Sequence, residues 1–139
     1  MSDANRPGKR LLQVTVAVLG LVPVVAGGAG VVLGPAAVTA MAPWPVDLDS
    51  HYRYMSGIFL ALGLAFYATI PDIEHKTVMF RVLGAMVFAG GLSRLLSLLI
   101  VGLPSWPHVA GLILELIVVP LLVFWQARLA RHSPTTDDG

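Results

Sequence analysis

Apolar residues do not alternate with polar ones along this chain; they come in long runs broken by short polar stretches. The first run, Leu11 to Leu33, contains no charged residue. The second begins near His51 and ends at Pro71, with no charge after Arg53. The third extends from about Thr77 to Leu103 and beyond Arg81 carries a single charge, Arg94. The fourth, from about Pro107 to Arg128, carries Glu115. A helix needs about 20 mainly apolar residues to cross ~30 Å of hydrocarbon, and each run is that long. Soluble core helices of this length would carry a polar stripe at helical spacing; these do not. The pattern predicts an all-α polytopic membrane protein, a four-transmembrane-helix bundle over residues 11–131. A basic tail (1–10) precedes it and a polar tail (132–139) follows.

Composition sharpens this picture. The 139 residues are enough for one domain; 56% are apolar and 12% charged, against roughly 25% charged in a soluble domain. The net charge of +1 leaves no dominant basic patch, so nucleic acid is not an expected partner. The absence of cysteine excludes disulfides, thiolate-bound zinc and iron–sulfur clusters. Arg6, Lys9 and Arg10 precede the first run, and Val38-Thr39-Ala40 has the small residues of a cleavage site. A signal-peptide core is only about 7–15 residues, however. The run is therefore read as a retained helix.

Orientation follows the distribution of Lys and Arg. With the N-terminus inside, the inner side carries Arg6, Lys9, Arg10, Lys76, Arg81, Arg128 and Arg131, and the outer side only Arg53. Both termini are then cytoplasmic. The Pro- and Ala-rich segment Gly34 to Ser50 is the one long loop. Asp72 to Lys76 and Pro104 to Pro107 are short turns joining antiparallel neighbours.

Helices in a bilayer associate through small residues. Gly57, Ala61, Ala65 and Thr69 form one stripe of that kind, and Ala85, Ala89, Ser93 and Ser97 another. The two are candidates for mutual contact or for a homo-oligomer. Gly20, Gly27, Gly28, Gly30 and Gly34 smooth the outer half of the first helix. Pro23 and Pro120 lie inside helices and deprive the Leu19 and Leu116 carbonyls of their donors, which predicts kinks.

The charges inside the runs are the candidate site. Arg94 lies as far before the Pro104–Ser105 turn as Glu115 lies after it. Both fall roughly 12–15 Å below the outer surface. An unpaired charge at that depth costs at least ~2.5–3.5 kcal/mol, so an Arg94–Glu115 ion pair is expected. Three readings stay open: a structural lock on the hairpin, a polar ligand or proton site, or a contact with another subunit. Arg53, at the outer end of the second helix, either reaches Asp47 or Asp49 or joins Arg94 and Glu115 in a cationic pocket. The four histidines, His51, His75, His108 and His132, fall at or beyond helix ends, without the helical spacing of a metal site. No nucleophile elbow, phosphate loop or dinucleotide fingerprint occurs. No catalytic residue, cofactor or metal is assigned, and an enzyme is not expected.

The runs Asp49-Ser50-His51-Tyr52-Arg53-Tyr54, Gly57-Ile58-Phe59-Leu60-Ala61-Leu62-Gly63, Gly90-Gly91-Leu92-Ser93-Arg94-Leu95 and Leu114-Glu115-Leu116, closing on Trp125-Gln126, resemble a family of small bacterial four-helix membrane proteins, domain of unknown function 4345. The likeness spans roughly Leu11 to Arg131. It implies a bacterial inner-membrane setting and the four-helix fold, and no activity. The function expected is that of an accessory or scaffold protein in a membrane complex or homo-oligomer, with the lipid bilayer and another membrane protein as partners. The alternative is a lipid- or small-anion-binding protein or transporter using Arg94, Glu115 and Arg53.

Overall fold

The computed structural model describes residues 6–131, which form helices and turns; among the described residues there is no strand. The polar tail 132–139, with His132, and residues 1–5 of the basic tail lie outside them. Helix α1 covers Arg6–Leu33 and runs into a 3₁₀ turn at Gly34–Ala37. Helix α2 covers Val46–Thr69 and α3 covers Thr77–Val101. Helix α4, Trp106–Arg131, is continuous but contains a π turn at Leu114–Val118.

Three helical segments are long and apolar enough to cross a membrane: Arg6–Ala37, Thr77–Val101 and Trp106–Arg131. Helix α2 has the length, at 24 residues, but its first two turns carry Asp47, Asp49, His51 and Arg53, which dilute its apolar character.

Helix boundaries differ from the sequence expectation where local chemistry extends a helix into polar sequence. Among the described residues helix α1 already includes Arg6, ahead of the apolar run that begins at Leu11. Helix α2 starts at Val46 rather than near His51, because Asp47 and Asp49 in its first turn complement the positive end of the helix dipole. The loop expected over Gly34 to Ser50 is correspondingly shorter. Gly102, at φ +113°, ends α3 just before Leu103.

The fold consists of two compact units. In the unit spanning Gln13–Pro71, α1 and α2 pack so closely that a Cβ on Gly27 would lie 2.5 Å from the Leu60 amide nitrogen. A Cβ on Gly63 would lie 3.0 Å from Pro23 Cγ, so α2 seats its glycine on the proline of α1. The Tyr67 hydroxyl donates to the Ala17 carbonyl at 2.9 Å, and the Gln13 amide donates to the Ile70 carbonyl at 2.6 Å. Such bonds across a helix pair matter where no water competes.

The second unit comprises residues 6–12 and 72–131. Leu12, Ile73, Phe80, Leu83, Leu122 and Leu129 are buried in it. Helix α3 meets α4 along Gly84 and Gly91, which face Val123 and Leu116. The small-residue stripe of α3, Ala85, Ala89, Ser93 and Ser97, lies outside this contact and is exposed. The α3–α4 contact uses two glycines spaced by seven.

Most large aliphatic side chains are outside. Leu99, Ile100, Val32 and Val25 are each more than 60% exposed. A soluble monomer rarely leaves so many large apolar side chains in water, and hydrocarbon removes that cost of roughly 25 cal/mol per Å².

Candidate functional site

Arg94 and Glu115 meet across the α3–α4 hairpin. Arg94 Nε donates to Glu115 Oε2 at 3.0 Å and Nη2 donates to Oε1 at 3.1 Å, a bidentate pair. The Glu115 side chain is 12% exposed and that of Arg94 32%, so the carboxylate is covered while part of the guanidinium is open. Gly91, one turn before Arg94, makes the approach possible: a Cβ there would stand 2.9 Å from Glu115 Cβ and 2.7 Å from Leu116 Cδ2. On the facing helix Gly111 leaves room for the guanidinium, whose Cζ and Nε would lie 3.8 Å from a Cβ at that position. Arg matches a carboxylate through two parallel bonds, and both oxygens of Glu115 are used in that way.

Glu115 sits in the π turn. Pro120 has no N–H to offer the Leu116 carbonyl. The helix widens just before it: the Val119 N–H reaches the Leu114 carbonyl, five residues back. Such turns recur at functional positions. Here the turn carries the one acidic residue of α4 onto the face that meets Gly91.

Arg53 belongs to a different construction. Its Nε and Nη2 donate to Asp49 at 2.8 and 3.2 Å, and Nη1 donates to the carbonyls of Val31 and Val32 at 2.7 and 3.0 Å. Those carbonyls end α1, where backbone acceptors lack helical donors and the dipole favours a cation. Gly34 completes the arrangement. It adopts φ +61°, and a Cβ on it would lie 2.5 Å from Asp49 Oδ1 and 2.8 Å from Arg53 Nη2. Of the two partners the sequence offered Arg53, the structure selects Asp49, at i−4 on the same helix. Every nitrogen of this guanidinium is engaged inside the Gln13–Pro71 unit.

Two buried polar residues were not singled out by sequence reading. Glu74, in the α2–α3 turn, is 8% exposed and pairs with Lys9. Gln126 of α4 is fully buried; its amide donates to the Ile73 carbonyl at 2.7 Å and to the Thr77 hydroxyl at 3.0 Å. Burial alone would raise the Glu74 carboxyl. The hydrogen bond from Lys9, a backbone hydrogen bond and the charges of Lys9 and His75 outweigh it and hold the group below its ordinary 4.5. Glu74 Oε2 and Gln126 Oε1 are buried without a hydrogen-bond partner. The available signals were slight: a lone Glu in a charged turn, and a Gln at the spacing of Leu122 and Leu129. Elsewhere, the Ser105 hydroxyl lies 3.0 Å from His108 Nδ1. Among the described residues no three His, Asp or Glu side chains gather as a metal site would require.

A family model, Domain of unknown function (DUF4345), matches residues 11–126. The chain belongs to this family. The match in this DUF4345 protein takes in Arg53, Arg94 and Glu115 and ends on Gln126. No curated protein and no solved structure matches the chain.

Proposed function

We propose that this DUF4345 protein crosses a bacterial inner membrane four times, with both termini in the cytoplasm. We further propose that it acts without catalysis, as an accessory or scaffold for another membrane protein or a second copy of itself. The observation that supports the non-catalytic reading is the state of Glu115 and Asp49. Both oxygens of Glu115 are bonded by Arg94, and both of Asp49 by Arg53. A general base must reach the proton it abstracts; each of these carboxylates is instead held through both oxygens as one half of a bidentate ion pair. A fourth crossing is supported by the length of α2, about 36 Å at 1.5 Å per residue. The orientation is supported by the seven Lys and Arg residues of the inner side against Arg53 outside.

The chain has no cysteine, so single cysteines report topology without background. Thr39→Cys and Ser105→Cys should react with an impermeant maleimide in intact cells, and Asp72→Cys only after permeabilisation. Thr39→Cys and Asp72→Cys labelling from the same side would remove α2 from the membrane. The opposite pattern at all three would invert the orientation. For the scaffold role, cross-linking in the native membrane followed by purification should trap a protein partner or a second copy; a monomer carrying neither would overturn it.

A further inference from the structure

The Arg94 guanidinium is only half used. Of its five N–H groups, Glu115 accepts one from Nε and one from Nη2. The remainder, including both on Nη1, find no acceptor among the described residues. Each polar group left bare in hydrocarbon costs several kcal/mol, so the open edge of a side chain 32% exposed calls for an oxygen from outside the chain. One turn along the same face of α3, toward the α3–α4 turn, Ser97 is exposed and its hydroxyl also has no partner among the described residues. Around them Leu96, Leu99, Ile100 and Val101 are exposed and apolar, so the approach is through lipid. Arg94 lies about 10 Å along α3 from its end at Val101, within reach of a headgroup drawn inward by local bilayer thinning.

We propose that the free edge of Arg94, with the Ser97 hydroxyl, binds the phosphate of a phospholipid from the leaflet at the α3–α4 turn. A phosphate supplies the planar, doubly accepting face that a guanidinium edge fits. Glu115 holds the other edge and fixes the orientation of the fork. The inference goes beyond the scaffold reading but rests on α3 and α4 being membrane-embedded, which the cysteine labelling tests separately.

The test is native mass spectrometry of the full chain released from nanodiscs of phosphatidylglycerol, and in parallel from nanodiscs in which phosphatidylglycerol is diluted with a phosphate-free galactolipid. Wild type should retain phospholipid in preference to galactolipid. Ser97→Ala should weaken retention. The double variant Arg94→Leu/Glu115→Leu, which leaves no orphan charge, should lose about tenfold in occupancy, the equivalent of one charge-assisted bond. Gly111→Leu, which covers the guanidinium and leaves its charge in place, serves as a second probe and should also reduce retention. Equal retention of galactolipid, unchanged retention in Gly111→Leu, or a second copy of the chain in place of lipid would overturn the proposal.

Discussion

Two bidentate arginine–carboxylate pairs among the described residues have nearly the same bond lengths and different settings. Arg53 and Asp49 are four residues apart on one helix, half-buried, at a helix end. Arg94 and Glu115 are 21 residues apart, on two helices, with the carboxylate buried. The first pair is local, and its guanidinium also caps α1. The second holds two helices in one register and leaves a guanidinium edge open. Identical chemistry is thus a helix cap at one place and an inter-helix lock at the other; burial and chain separation decide which.

Mutation should separate the two, and the largest effect belongs to the buried pair. Glu115→Leu strands Arg94 in an apolar environment and should cost about 3–5 kcal/mol, read as a lowered thermal unfolding midpoint in detergent. Adding Arg94→Leu should restore most of it, since a buried pair replaced whole is often neutral. If the double variant is as unstable as the single one, the pair is not the lock described here.

At the Arg53–Asp49 pair the glycine matters more than the charges. Gly34→Ala forces a side chain into φ +61° and against Asp49 and Arg53, and should cost about 1–3 kcal/mol. Helix capping at α1 should loosen with it, seen as faster amide exchange over residues 31–34. A variant as stable as wild type would show that the turn relaxes freely.

The Lys9–Glu74 pair gives a pH-dependent effect. Glu74 titrates below its ordinary 4.5 in the folded chain, so its contribution is complete above that pH and fades as pH falls through the lower folded value. Glu74→Gln should therefore be less stable than wild type near neutral pH, the difference closing below about pH 4.5. A difference independent of pH would assign the effect to packing. Smallest of all should be Arg53→Lys, which keeps the cation near the α1 carbonyls but loses the fork. Only slight destabilisation is expected, and a loss as large as that of Glu115→Leu would erase the distinction between the two pairs.

Much of this was legible in the sequence. Long uncharged runs require helices because only internally bonded backbone survives away from water. The equal distances of Arg94 and Glu115 from a tight turn set them at one depth on neighbouring helices. For Arg53 the sequence left Asp47, Asp49 and an inward position open, and the structure pairs it with Asp49. The start of α2 was misplaced because acidic residues were read as loop rather than as a first turn.

What the sequence by itself determined is therefore the helical character of the chain, the approximate limits of its apolar segments and the residues that carry charge inside them. Each follows from local composition and spacing. The tertiary structure alone decided that Gly84 and Gly91 seat α3 on α4. It also decided that Pro120 is accommodated by a π turn, that Gly34 joins Arg53 and Asp49 to the end of α1, and that Glu74 and Gln126 are buried. These depend on which faces of separate helices meet. Several small-residue stripes of nearly equal merit compete for that contact, and only the packed helices distinguish among them.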